Sequence, residues 1–194
     1  FWPERSTESV KRNFHTTLFR ARQALGEFAI IFQESTELYS LHPSMNVWCD
    51  AVEFESMVGT ARLMAPRLAH TEDLWRRAYD LYRGDLLSSM DAPWLAARRE
   101  ALQESFVETL IGLGNCAQAR MDHMQAVHHY KQVLQIDPYR EPVHAHILNC
   151  FSQMGQRKQA AKHYAALHNL FEKDLAAPPS DQLRRLARTL LLSG

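Results

Sequence analysis

Between Ser6 and Gly26 the apolar residues Val10, Phe14, Leu18, Ala21 and Leu25 recur every three or four positions. That spacing lays one apolar stripe along an α-helix, with Ser6 or Thr7 as its N-cap and Gly26 as its stop. At about 100° per residue, Arg12, His15, Thr16, Phe19, Arg20 and Gln23 point away from the stripe. Phe19 on such a basic face predicts a surface that meets something. The period then changes. Phe28–Phe32 and Leu38–Leu41 are aromatic and β-branched runs flanking the polar Gln33–Glu37, which predicts a strand pair. From Asp50 to the end only helical periodicity remains. Pro66 is expected to end one helix, Thr71 with Glu72 and Asp73 to begin the next, and Gly84 to stop it. Pro93 opens a long segment, and Asp122 followed by Gln125 resembles a capping box. Gly155 closes a further helix, and Ala176-Ala177-Pro178-Pro179 precedes a last one from about Ser180 to Leu192.

A shift of 34 residues superposes Asn115 on Asn149, Cys116 on Cys150, Gln125 on Gln159, Ala126 on Ala160, His129 on His163 and Tyr130 on Tyr164. This is the tetratricopeptide (TPR) period, in which stacked helix pairs bury faces that one pair cannot bury alone. The first unit, Val107 to Arg140, resembles the TPR pattern, with Gly114 at the close helix contact and Pro138 at the exit. The second, Glu141 to Asp174, has Leu148 in place of that glycine. Ala126, Tyr130, Ala160 and Tyr164 are expected to be buried, and Ala78 with Tyr82 marks a degenerate pair between Ala51 and Gly84.

The chain has 194 residues, is 46% hydrophobic and 23% charged, and carries 22 basic against 22 acidic side chains. This is globular composition, with no apolar run approaching the roughly 18 residues of a membrane span. The start at Phe1-Trp2-Pro3-Glu4 reads as part of something longer. Charge is uneven. Residues 1–26 hold Arg5, Lys11, Arg12, Arg20 and Arg22 against Glu4 and Glu8, whereas residues 27–60 hold six acids and no base. Any polyanion contact is therefore expected in the head. Cys49, Cys116 and Cys150 form no CxxC pair, which fits a reducing cytosol, and the repeat-equivalent Cys116 and Cys150 read as small buried residues. The pairs His128-His129 and His144-x-His146 lack metal-ligand spacing. No nucleophile triad, phosphate loop or carboxylate pair stands out, so no catalytic residue, metal or cofactor is expected.

Several motifs in order, Trp2-Pro3-Glu4, Arg12-Asn13-Phe14, Leu18 to Gly26, Tyr39-x-Leu41, Asp50 with Phe54, Tyr82-Arg83-Gly84, Trp94 with Arg98, and Asp137-Pro138, together resemble a known family. They are similar to the antibiotic-regulatory-protein type of bacterial transcription activator, in which a winged-helix DNA-binding module precedes a bacterial transcriptional activator domain. Where that family usually has Leu-Arg near the end of the recognition helix, this chain has Ala21-Arg22. The resemblance implies a mostly α chain. Residues 1–46 would be the recognition helix and two-stranded wing of a winged helix, and residues 47–194 the TPR-like activator domain. It implies DNA contacts by Lys11, Arg12, Asn13, Thr16, Arg20 and Arg22, weak when these 194 residues act alone because the family's module begins upstream. The wing, with Glu34 and Glu37 and no base, is a poor minor-groove reader.

The resemblance also implies a cytoplasmic, non-enzymatic activator that touches no membrane. Its helical domain would associate with itself as a homodimer and contact RNA polymerase or a regulatory domain. In TPR proteins the first helix of each unit lines a concave groove, so Asn115, Gln118, Asn149 and Ser152 are candidate partner contacts, with inter-repeat packing as the competing explanation. An exposed Trp94 or Tyr139 favours a partner surface. The alternative is a TPR-type interaction or sensor module of a larger regulator that does not bind DNA.

Overall fold

The computed structural model describes residues 6–64 and 69–192. The Trp2-Pro3-Glu4 turn, Arg5 and Pro66 lie outside them. The fold is mostly α with one two-stranded sheet, and the chain divides into two compact units, Phe1–Cys49 and Asp50–Gly194.

In the first unit, α1 (Thr7–Leu25) begins where the Ser6 hydroxyl accepts from the Ser9 N–H. It ends at Gly26, whose φ of +106° reverses the chain without the Cβ penalty another residue would carry. The antiparallel strands β1 (Ile30–Gln33) and β2 (Leu38–Leu41) pair Ile30 with Leu41 and Phe32 with Tyr39. Tyr39 fastens this hairpin to α1, with its ring 5.1 Å from Phe14 and 4.9 Å from Phe32. The first strand starts later than its Phe28–Phe32 pattern predicts. Ala29 N–H closes a turn onto Gly26 O at 3.0 Å, which leaves Phe28 83% exposed ahead of the ladder. Ala29 alone is buried among this unit's described residues, and the α1 stripe is only half-covered.

Among the described residues the second unit is a chain of seven helices: α2 (Asp50–Arg62), α3 (Ala69–Leu81), α4 (Pro93–Ala119), α5 (His123–Ile136), α6 (Glu141–Gln153), α7 (Arg157–Leu175) and α8 (Asp181–Leu192). Each packs on its sequence neighbour, α2 also reaches α4, and α8 closes over α6 and α7. The capping signals are used. Pro93 enters at the first turn of α4, Asp122 Oδ1 accepts from the Gln125 N–H at 3.1 Å, and the Ser180 hydroxyl accepts from the Leu183 N–H. Helix α3 begins two residues before Thr71, which is buried rather than serving as an exposed cap.

Helix α4 is the spine. Two glycines let aromatic rings lie against its backbone: a Cβ on Gly112 would fall 2.4 Å from Trp75 of α3, and one on Gly114 2.3 Å from Tyr130 of α5. The cores on either side of α4 are built around these contacts. Ala126, Tyr130 and Ala160 are buried as the repeat predicts, but Tyr164 is only half-buried. The cause is the substitution at the repeat's close contact. Leu148, fully buried, fills the space that Gly114 leaves for Tyr130, so the second tyrosine packs at the margin.

Candidate functional site

On α1 the structure exposes Lys11, Arg12, Thr16 and Arg20, leaves Asn13 half-buried, and turns Arg22 inward. Arg22 donates from Nε and Nη2 to Ile30 O, at 3.2 and 2.8 Å, and so ties the helix to the hairpin. The Thr16 hydroxyl donates back to Arg12 O at 2.9 Å, which leaves its oxygen free only to accept. Phe19 is 60% exposed beside this basic face and, with His15, Phe28 and Phe32, lines a cavity of about 660 Å³ between α1 and the hairpin. The hairpin turn carries the exposed Glu34 and Glu37, so among the described residues of this unit the basic side chains all lie on α1.

In the helical unit the four groove candidates fall into two unlike pairs. Asn115 Oδ1 and Gln118 Oε1 each lie 2.8 Å from the Tyr130 hydroxyl, which has one hydrogen to share between them. Burial holds the Tyr130 phenol well above its ordinary pKa, so that hydrogen stays in place. Both amides are half-exposed, anchored from behind by the packed repeat. Asn149 instead lines a cavity of about 480 Å³ with His146, Glu141, Ser180, Leu183 and Leu186. Ser152 is half-buried near the end of α6, where its carbonyl accepts from Gly155 N–H.

Sequence reasoning missed two polar locks. His144 Nε2 lies 2.9 Å from Pro138 O and must donate to it, so its Nδ1 accepts the Nε2–H of His163 at 3.0 Å. Burial lowers the pKa of both rings, that of His163 to about 4, which keeps the pair neutral near pH 7. Glu141 receives the N–H and hydroxyl of Ser180 and pins the start of α8. No periodicity marks either contact; only the juxtaposition of α6 with α7 and α8 creates them. Cys116 and Cys150 are buried thiols whose pKa burial pushes up to about 11, so neither is a thiolate near neutral pH. Among the described residues no three His, Cys, Asp or Glu side chains are placed to hold a metal ion, and no helix is long and apolar enough to cross a membrane.

Residues 49–191 match the family model of the bacterial transcriptional activator domain. The chain belongs to that family. Within the activator domain lie the repeat, the amide pairs and the histidine lock described above. The chain is 26% identical over 131 residues to Regulatory protein AfsR of Streptomyces coelicolor, an alignment covering 64% of this chain and 12% of AfsR. It superposes with a TM-score of 0.81 on Mycobacterium tuberculosis EmbR, solved in complex with a low affinity phosphopeptide. That match has 20% identity and covers 99% of this chain and 52% of EmbR. The chain thus spans about an eighth of AfsR and about half of EmbR. The EmbR likeness extends the shared fold across both the helix-hairpin unit and the activator domain.

Proposed function

We propose that this chain is a segment of a DNA-bound transcriptional activator, with residues 1–46 as its DNA-contacting part and residues 47–194 as its activator domain. The observation that carries this reading is the exposed basic face of α1, Lys11, Arg12, Thr16 and Arg20, held beside a two-stranded hairpin in a chain of the activator-domain family. A helix of this kind enters the major groove, where the basic side chains meet phosphates and bases while Asn13 flanks the backbone. Arg22 acts from behind by fixing the hairpin. Other elements must fix the helix angle before bases are read, so these residues alone bind weakly and with little sequence preference.

The activator domain does no catalysis and needs no cofactor. It associates with itself and contacts RNA polymerase or a regulatory domain in the cytoplasm. The anchored amides of Asn115 and Gln118, with Asn149 and Ser152 along α6, offer polar contacts to a partner segment. Fluorescence anisotropy with a duplex tests the DNA reading. Affinity falls with a log–log salt slope of about −3 for some three phosphate contacts, and replacing Lys11, Arg12 and Arg20 by alanine removes it. Binding unchanged by that triple replacement rejects the reading. The acidic hairpin turn, Glu34 and Glu37, favours a second reading, a TPR-type interaction module that never binds DNA. A complete lack of salt-dependent binding, even within the longer parent protein, selects it.

A further inference from the structure

The cavity of about 480 Å³ between α6 and α8 holds polar groups that the packing of the two helices leaves unused. It runs from Glu141 to Asn149 along α6, a rise of about 12 Å, and from Ser180 to Leu186 along α8. At one end both Glu141 oxygens are taken by Ser180, Oε1 by its N–H at 2.8 Å and Oε2 by its hydroxyl, so the two walls are joined there. An extended chain cannot pass through a cleft bridged in this way. A compact molecule can enter it, and the volume lies within the roughly 300–1,000 Å³ of small-ligand sites.

One wall is α6. Asn149 and His146 stand one turn apart on it, both half-buried, and neither makes a hydrogen bond among the described residues. His146 is nevertheless held in place, because its ring stacks on Tyr130 with centroids 5.0 Å apart and planes 20° from parallel. Tyr130 is in turn fixed by Asn115 and Gln118, so the repeat core sets the position of this polar group. Burial lowers the His146 pKa, which keeps the ring neutral near pH 7. The facing wall is apolar, with Leu183 buried and Leu186 half-buried on α8. The lining contains no lysine or arginine, and both oxygens of its one carboxylate are engaged, so nothing there draws an anion and little draws a cation.

We infer that this cavity binds a small neutral lactam, with its amide edge on the Asn149 side chain and its apolar body against Leu183 and Leu186. The chemistry of Asn149 selects the amide. A carboxamide presents an acceptor oxygen and a donor N–H on one edge, and the cis amide of a lactam presents the complementary pair on one edge, so the two close a ring of two hydrogen bonds. A trans amide, as in an extended peptide, points its N–H and its oxygen in opposite directions and can make only one of them. The neutral His146 ring, with one donor and one acceptor nitrogen, offers a further contact to a second polar group on the ligand. Neutrality of the ligand follows from the lining, and its apolar body from the two leucines. The assignment goes beyond the activator reading and does not depend on it: Asn149, named there as a contact for a partner segment, here holds a small molecule, and the two uses exclude one another.

An NMR titration of the full, isotope-labelled chain with the diketopiperazine cyclo(Leu-Gly), which carries two cis amides and one isobutyl group, tests this. Expected is saturable binding with a Kd of about 1 mM, in keeping with so small a molecule, and the largest shifts at the Asn149 side-chain amide and the Leu183 and Leu186 backbone amides. The N,N′-dimethyl derivative keeps the shape but loses both donors, and it binds about ten-fold more weakly. Cyclo(Leu-Gly) loses affinity by a similar, about ten-fold, factor on Asn149→Leu, a variant that removes no hydrogen bond within the fold. The linear Leu-Gly dipeptide, charged at both ends and trans at its amide, shows no saturation up to about 10 mM. Equal binding of the methylated derivative, equal binding to Asn149→Leu, or saturation by the linear dipeptide overturns the inference. So does a titration of the wild-type chain whose shifts fall outside α6 and α8, or that shows no saturable shift up to about 20 mM. None of these results turns on DNA binding or self-association, so failure here leaves the activator reading standing.

Discussion

Gly114→Ala and Gly59→Ala make the same chemical change in two helices and are expected to move stability in opposite directions. In a helix interior, alanine is favoured over glycine by about 1 kcal/mol, because glycine has more backbone freedom to lose. At Gly59 in α2 an added Cβ meets nothing within 4 Å, so the propensity gain of up to about 1 kcal/mol is realised. At Gly114 the added carbon would fall 2.3, 2.7 and 2.8 Å from Cε1, Cζ and Cδ1 of Tyr130. That ring is fully buried and its hydroxyl is committed to Asn115 and Gln118, so it cannot step aside within the core. Overpacking of this kind costs typically 1–3 kcal/mol, and expelling the aromatic ring instead costs about 3–5 kcal/mol. Set against about 1 kcal/mol of propensity, overpacking leaves a net cost of about 0–2 kcal/mol and ring expulsion about 2–4 kcal/mol, and a contact as short as 2.3 Å places the expected loss at about 2 kcal/mol. Urea denaturation followed by far-UV circular dichroism measures it. With a slope near 2 kcal/mol/M, Gly114→Ala lowers the midpoint by about 1 M while Gly59→Ala raises it by up to about 0.5 M. A Gly114→Ala protein as stable as the parent would refute the close contact, and with it the explanation of why Tyr164 is displaced where Leu148 replaces the glycine.

The His144–His163 lock gives a pH dependence with a definite sign. In the unfolded chain His163 protonates near its ordinary 6.5, in the folded chain near 4, so the unfolded state binds more protons between these values. The stabilisation is present above about pH 6.5 and lost as pH falls toward 4. Burial is the main cause of the shift, with His144 and Lys131 adding to it; the full shift is worth about 3 kcal/mol, and partial exposure discounts it to about 2 kcal/mol. Thermal melts from pH 7.5 to 4.5 check this: a His163→Leu variant has a flatter slope, and an identical slope would contradict the pairing. Glu141→Ala removes both acceptors of Ser180, so α8 opens more often and trypsin cuts at Arg184 and Arg185 about ten-fold faster in native buffer. An unchanged cleavage rate would mean that burial of Leu183 and Ala187 alone holds the helix. Arg22→Ala unties the hairpin at Ile30 O, and amide exchange at its paired Leu41 is expected to accelerate while α5 and α6 amides stay protected. Equal exchange in both proteins would assign the fastening to Phe14 and Tyr39.

Local signals in the chain determined the helices, most of their caps though not the start of α3 at Thr71, and the 34-residue repeat, because each is set by side chains a few residues apart. Ser6, Gly26, Pro93 and Asp122 act where their chemistry places them, whatever packs around them. The repeat determined that the equivalent Cys116 and Cys150 would be small buried residues, and it located the close contact at Gly114. Tertiary structure decided everything that depends on distance across helices. Gly112 became a seat for Trp75, since nothing local says which ring will approach a glycine. Arg22 bears the same charge as Arg12 and Arg20, yet a carbonyl eight residues on, brought near by the hairpin, takes it out of the basic face. Asn115 and Asn149 occupy one repeat position, but a tyrosine hydroxyl reaches only the first, where Gly114 admits the ring; the second unit has the buried Leu148 at that place. A repeat fixes which positions are equivalent; the volumes of their neighbours fix what each position does.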